Sequence, residues 1–150
     1  MKTIKEEIKQ NHFRNFKQEV AINILYTSSW LLNRQKDFFK SYGITNQQYN
    51  ILSILRGQFP NKVSGAEIKA RMLDKNSDVS RLLDRLVIKK LISKTQCPND
   101  KRAADISISD DGMKLLGKID NRIEELDVII SNLSAKEAEQ LSSLLDKVRS

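Results

Sequence analysis

The chain has 150 residues, of which 39% are hydrophobic and 30% charged, and it carries a formal net charge of +7. These fractions are typical of a folded water-soluble domain, and a single cysteine excludes an intrachain disulfide bond. No apolar run approaches the ~20 residues of a membrane span, so the sequence predicts a cytoplasmic protein without a membrane segment. The basic excess lies in residues 1–40 and 61–105, which favours a polyanionic partner.

One long helix is predicted at the N-terminus. Residues 3–41 contain neither Gly nor Pro, and apolar side chains such as Phe13, Val20 and Phe38 recur at helical spacing. Further apolar residues around Leu25 extend the apolar surface to a second side. Because a helix that is apolar on two sides packs against two layers, we expect this one to contact both its own domain and a second copy.

Three shorter helices are predicted next. Thr45 and Gln48 form a capping box before the second helix, and Ser64 and Glu67 form another before the third. The fourth follows a turn at residues 74–76, and its apolar face opposes a face of Ser, Arg and Asp. The apolar residues are Val79, Leu82, Leu83, Leu86 and Val87. Two short capped helices joined by a few polar residues, the second polar on its outer face, are typical of a helix-turn-helix.

A β-hairpin is predicted after the fourth helix. Residues 91–97 form its first strand, and apolar residues alternate with polar ones through residues 104–109, as in a half-buried strand. The connection, residues 98–102, contains a proline and an Asn-Asp pair, which favour a turn. This hairpin places Lys101 and Arg102 at its tip.

Two amphipathic helices are predicted at the C-terminus. Ser109 caps the fifth helix, whose apolar residues from Leu116 to Leu133 are spaced three and four apart, like a coiled-coil seam. Ser134 and Glu137 form the capping box of the sixth. Both ends of the chain therefore carry more apolar surface than residues 43–111, here called the reading head, need to cover their core. This excess predicts dimerisation through the two ends.

This order of elements resembles the MarR family of bacterial winged-helix transcription regulators, over essentially the whole chain. The most specific part is the DKR tip at residues 100–102, followed by a strand that ends in SISDDG at residues 107–112. Residues 43–55 are similar to the family's second helix, and residues 78–86 are similar to its recognition helix.

The resemblance implies a mainly α fold with a small β-hairpin wing and six helices. It implies one domain, with dimerisation helices in residues 1–42 and 112–150 and a winged helix-turn-helix DNA-binding part in residues 43–111. The family binds pseudo-palindromic operators in double-stranded DNA as homodimers, usually as repressors released by a small aromatic or lipophilic ligand or by oxidation. No cofactor, metal ion or enzymatic activity is expected.

The residues expected to contact DNA lie on the fourth helix and at the hairpin tip. The guanidinium of Arg81 matches the two acceptors of a guanine, and Arg102 by resemblance enters the minor groove. Ser77 contacts phosphate or caps the helix, and Asp84 orients Arg81 or a neighbouring arginine. The candidate contacts are Ser77, Asp78, Ser80, Arg81, Arg85, Lys101 and Arg102, with Asp100 either orienting Arg102 or initiating the turn.

Four aromatic residues either line a ligand cavity where the first helix meets the reading head or belong to the core. They are Phe16, Tyr26, Trp30 and Tyr49. The single cysteine, Cys97, is a candidate redox sensor, but its position argues against that role, because peroxide-sensing members carry the reactive cysteine near the N-terminus and residues 1–40 contain none. The single histidine, His12, has no cluster of ligands around it in the sequence, so no metal site is predicted.

A different class of function is also considered. A winged-helix adaptor or antirepressor acts through protein contacts, without specific DNA binding. Its fourth helix would present apolar or acidic residues, whereas the outer face here carries Ser, Arg and Asp. This composition favours DNA.

Overall fold

A computed structural model describes residues 2–150, except for the side chains of Cys97, Lys101 and Arg102. Within residues 2–150, no helix is long and apolar enough to cross a membrane. In chain order the elements are α1 (Ile4–Ile8), α2 (Phe16–Lys40), α3 (Asn46–Gln58), β1 (Val63–Ser64), α4 (Gly65–Arg71), α5 (Val79–Ile88), β2 (Ile92–Cys97), β3 (Asp100–Ile108), α6 (Asp110–Asp120), α7 (Glu124–Asp127), a 3-10 helix (Val128–Ile130) and α8 (Ala135–Val148).

The mainly helical fold with a small sheet is confirmed, and the sheet has one strand more than the predicted hairpin. Its order is β1-β3-β2, with both pairings antiparallel. Cys97 is opposite Asp100, so the turn consists of residues 98 and 99, and β3 already begins at Asp100. The predicted connection of residues 98–102 was therefore too long. The register shifts between Gln96 and Cys97, which is the irregularity of a β-bulge.

The sequence predicts six helices, whereas the described chain has eight α-helices because two predicted ones are interrupted. The long first helix is broken after α1, where Lys9 adopts a left-handed conformation with φ 54°. Asn15 then begins α2, its side chain accepting a hydrogen bond from the Gln18 backbone N–H. A polar residue that caps a new helix thus replaces the predicted continuity.

The predicted fifth helix is interrupted after α6. The backbone N–H of Arg122 donates to the carbonyl of Ile119 at 2.9 Å, a three-residue bond that tightens the chain out of the α-helix. The guanidinium of Arg122 forms two hydrogen bonds to Glu125 and lies 5.8 Å from the Phe38 ring centroid. The coiled-coil spacing therefore does not correspond to one continuous helix.

The core lies in the middle of the chain, between Phe39 and Ile119. The inner faces of α3, α4 and α5 pack with the sheet and α6 around it. The fully buried side chains include Ile51, Leu52, Leu55, Ile68, Leu86, Ile106, Leu116 and Ile119. Since α6 and the end of α2 contribute to this core, the reading head and the terminal helices share it.

Gly112 allows α6 to approach the sheet closely. A Cβ at this position would lie within 3.0 Å of the Leu91 carbonyl oxygen and 2.7 Å from Ile108 Cγ1. A Cβ at Gly117 in the same helix would meet no atom within 4 Å in the described structure.

We therefore expect Gly112→Ala to lower the free energy of unfolding by about 1–3 kcal/mol, because overpacking forces the helix away from the sheet. The control Gly117→Ala should raise it by about 0.5–1 kcal/mol, since alanine favours the helix. Urea unfolding at one fixed protein concentration measures both changes. A Gly112→Ala variant as stable as the original chain would contradict the close approach.

Candidate nucleic-acid interface

The N-terminal turn of α5 presents the expected polar residues to solvent. Asp78 is the helix N-cap, and its carboxylate accepts a hydrogen bond from the Arg81 backbone N–H at 3.2 Å. The predicted apolar face is buried through Leu82, Leu83 and Leu86. The opposite side is exposed and carries Ser80, Arg81, Asp84 and Arg85.

Ser77 differs from the other predicted contacts because only 5% of it is exposed. Its hydroxyl accepts a hydrogen bond from Gln47 Nε2 at 3.4 Å, and its backbone N–H donates to the Asp74 carbonyl. Asp78, not Ser77, caps the helix. This arrangement replaces both roles expected for Ser77, phosphate contact and capping, with support of the turn before α5.

Asp84 pairs with a residue of the sheet instead of the arginines beside it. Its carboxylate lies 3.0 Å from Lys94 Nζ on β2, so the expectation that it orients Arg81 or Arg85 is corrected. An exposed pair of this kind stabilises a fold by about 0–1 kcal/mol. Its main effect is to hold the ammonium of Lys94 beside the outer face of α5.

A groove of about 480 Å³ separates the N-terminal turns of α4 and α5 from the sheet. Lys69 and Lys94 contribute cations to its wall, Ser64 and Ser80 contribute hydroxyls, and Asp100 lies on the side of the sheet. The positive end of the α5 dipole also points toward this region. Lys69 was missed from the sequence, where a lysine on a short helix looks like any solvated charge.

The remaining predicted contacts are in the hairpin. The backbone of Lys101 and Arg102 belongs to β3, but their side chains lie outside the described part of the structure, as does that of Cys97. Their predicted roles, and the orientation of Arg102 by Asp100, stay predictions.

The four aromatic candidates for a ligand cavity do not meet in one place. Tyr49 stacks on Phe39 with ring centroids 4.3 Å apart, in the core, while Phe16 is 86% exposed. Tyr26 and Trp30 line a cavity of about 480 Å³ next to α1. The hydroxyl of Tyr26 donates to Glu7 at 2.9 Å, and this hydrogen bond raises the pKa of Tyr26. Of the two alternatives, Tyr49 therefore fits the core, while Tyr26 and Trp30 lie in a cavity away from it. A ligand role for these aromatic residues stays a prediction.

A different cavity, of about 600 Å³, lies where α2 meets the reading head. Its wall combines amide, hydroxyl and charged groups with two leucines. The lining residues are Ser28, Leu32, Asn33, Lys36, Thr45, Asn46, Gln47, Leu73 and Asp74. The expected location is thus occupied by a cavity, but with a lining that the aromatic pattern did not indicate.

Comparison with known proteins places this arrangement among transcription regulators. A family model described as MarR family matches residues 42–103. The chain is 27% identical over 132 residues to the HTH-type transcriptional regulator PecS of Dickeya dadantii (strain 3937), covering 86% of this chain and 80% of PecS. It is 40% identical over 70 residues to the HTH-type transcriptional repressor MdtR of Bacillus subtilis (strain 168), covering 47% of this chain and 44% of MdtR.

A solved structure extends the similarity to the terminal helices. The S. aureus MepR in its DNA complex matches with a TM-score of 0.75 and 25% sequence identity, covering 85% of this chain and 94% of that chain. The family model spans α3 through the first part of β3, which includes the recognition helix and the hairpin turn. Residues 42–103 of this chain thus match the MarR family, and the chain is similar to HTH-type transcriptional regulators over most of its length.

Proposed function

We propose that the protein is a ligand-responsive repressor that binds a pseudo-palindromic operator as a homodimer. The observation that carries the proposal is the exposed polar face of α5 next to the groove bounded by Lys69 and Lys94. A helix of this size fits the major groove of B-DNA, where side chains reach the base edges. The repressor role is suggested by MdtR, which is described as a transcriptional repressor.

The proposed contacts divide by chemistry. Arg81, in the first turn of α5, is exposed and suits a guanine, while Ser80 and Arg85 are exposed on the same helix and suit phosphate or a base edge. Lys101 and Arg102 are the proposed contacts from the hairpin. Asp78 caps α5, so its proposed role is to present the first turn of that helix to the DNA.

The homodimer is supported by the amount of uncovered surface. The chain exposes 11203 Å², whereas a compact monomer of 17.2 kDa exposes about 7,800 Å². Every residue of α8 is at least partly exposed, and Leu144 is 60% exposed. Of the 25 residues of α2, only Phe39 is buried. A second copy would cover these faces and hold two recognition helices about one DNA turn, ~34 Å, apart.

The ligand-responsive part of the proposal rests on the cavity between α2 and the reading head. Its volume of about 600 Å³ is in the range of small-molecule sites. Leu32 and Leu73 provide apolar surface, and Lys36 and Asp74 provide charges of both signs. A small molecule with a ring and a polar substituent would match this lining, in agreement with the expected aromatic effector.

Genomic fragments selected by the purified protein provide the direct test of DNA reading. We expect a selected fragment to bind at least ~1000-fold more tightly than random DNA of the same length. The logarithm of both association constants should fall linearly with the logarithm of salt concentration, because phosphate neutralisation releases counterions. If no genomic fragment is preferred over random DNA, the proposed function is wrong and the adaptor function becomes the better explanation.

Substitution of Arg81 and of Arg102 should separate the reading of a base from electrostatic binding by the hairpin. Arg81→Ala should cost about 1–3 kcal/mol of operator binding and relax the preference at one base pair of each half-site. Arg102→Ala should weaken operator binding and reduce the salt slope by about one. The control is Lys136→Ala, which removes an exposed charge from α8. Titration of operator DNA at several salt concentrations measures the affinities and salt slopes, and selection of DNA fragments by each variant measures the sequence preference. An unchanged sequence preference in Arg81→Ala would refute its assigned role.

A charge placed on the uncovered face of α8 should disrupt the dimer. Leu144→Asp would bury a carboxylate in the proposed interface, so we expect dissociation into monomers and operator affinity close to that for random DNA. Ser143→Asp is the matched control, because at about 100° per residue it lies away from the stripe formed by Leu141, Leu144 and Val148. Sedimentation equilibrium measures the masses. A monomeric original chain, or a dimeric Leu144→Asp variant, would exclude this interface.

A further inference from the structure

The connection between α4 and α5 is held against α3 by two side chains. Asn50 Oδ1 accepts a hydrogen bond from the Leu73 backbone N–H at 2.9 Å, near the start of the connection. Gln47 Nε2 donates to Asp74 Oδ2 at 3.2 Å, next to Leu73, and to Ser77 Oγ at 3.4 Å, near the end of the connection. Gln47 and Asn50 are three residues apart and therefore lie on the same side of α3. Both ends of the connection are thus tied to one helix.

The orientation of the Gln47 amide follows from its partner. A carboxylate only accepts hydrogen bonds, so the amide nitrogen, not the oxygen, faces Asp74. The other oxygen of Asp74 accepts from the Asn76 backbone N–H at 2.9 Å, which shapes the connection itself. Ser77 is 5% exposed, so little solvent competes with the Gln47 amide for its hydroxyl.

A short series of hydrogen bonds leads from this amide to the recognition helix. The Ser77 carbonyl accepts from the Val79 N–H at 3.1 Å, and the adjacent Asp78 caps α5 through the Arg81 N–H at 3.2 Å. Ser80 and Arg81, two of the proposed DNA contacts, therefore lie three and four residues after Ser77, which Gln47 holds. The apolar face of α5 is anchored separately, by Val79, Leu82, Leu83 and Leu86 in the core, so the Gln47 hydrogen bonds act on the polar side of the first turn.

We infer that Gln47 is a positioning residue for DNA reading: its amide, through Asp74 and Ser77, sets the first turn of α5 and thereby the sequence preference. The inference rests on the proposed DNA-reading function. Because the buried leucines keep α5 folded, loss of the Gln47 hydrogen bonds displaces the first turn without unfolding the helix. Base contacts require directed hydrogen bonds, whereas phosphate contacts tolerate displacement. Specific binding therefore depends on Gln47 more than binding to random DNA does.

Two substitutions of similar size test the role. Gln47→Met removes the donor, and Gln47→Glu places a carboxylate against Asp74. Both should weaken operator binding about 5- to 100-fold, the effect of losing one good base contact, while affinity for random DNA changes less than about twofold. Gln58→Glu makes the same charge change at the end of α3, where the amide contacts only the neighbouring Gly57 carbonyl among the bonds described, and should alter both affinities equally.

A reversed pair supplies the rescue. In Gln47→Glu combined with Asp74→Asn, the new amide donates to the new carboxylate, while its oxygen still accepts from the Asn76 N–H. The double variant also keeps the original net charge. We expect it to recover most of the operator affinity lost in Gln47→Glu. Asp74→Asn alone serves as the fourth member of the cycle.

The outcomes separate this inference from the proposed function. Unchanged operator affinity in both Gln47 variants, or an equal loss for operator and random DNA accompanied by a lower Tm, would overturn it. If the original chain prefers no genomic fragment, the proposed function fails. Amide hydrogen exchange at residues 77–81 then decides the positioning role: faster exchange confined to these residues in Gln47→Met supports it, and unchanged exchange overturns it.

Discussion

Burial of one face of α5 is the constraint on which the reading head depends. Leu82, Leu83 and Leu86 pack into the core formed by α3, the sheet and α6, and each contributes about 1.5–3 kcal/mol when fully buried. Their spacing leaves one orientation of the helix in which all of them are covered. That orientation directs Ser80 and Arg81 outward. Burial of the apolar face therefore determines the direction of the polar face. The residues proposed to contact DNA contribute little to the stability of the reading head.

The same core ties the terminal helices to the head. Arg56 of α3 forms two hydrogen bonds with Asp120 at the end of α6, at 2.6 and 3.2 Å. Just beyond this pair, Arg122 lies over the rings of Phe38 and Tyr42 at the end of α2. The chain leaves α6 at this point, so the direction of the C-terminal helices is set against the head. In a dimer formed through those helices, the same contacts would influence the distance between the two recognition helices.

The parts that the sequence predicted correctly are those in which local periodicity and burial agree. The face of α5 and the alternation in β3 repeat a pattern several times. The capping boxes at Thr45 and Ser134 are pairs of residues only three apart in sequence. The missed parts depend on single events or on distant residues. A two-residue strand such as β1 has no period, and the break after Asp120 is invisible to a spacing of three and four that continues through it. The Asp84–Lys94 pair and the burial of Ser77 depend on contacts between elements.

Two hydrogen-bonded side chains of the reading head, Gln47 and Asp74, form part of the cavity wall, which bears on how a ligand could influence DNA binding. A ligand shifts an equilibrium only by its difference in affinity for two states, so it must contact a group that moves with α5. Ser28, Leu32 and Lys36 in the cavity wall belong to α2, and contact with them alone leaves α5 where it is. Gln47 and Asp74 line the same cavity and are hydrogen-bonded to each other in the connection that leads to α5. A molecule that hydrogen-bonds to either residue would compete with that bond. Because the bond is exposed to solvent, its loss would cost about 0.5–1.5 kcal/mol, which corresponds to a change in DNA affinity of roughly 2- to 13-fold. Coupling of useful size thus needs one hydrogen bond at this place and no larger rearrangement of the core.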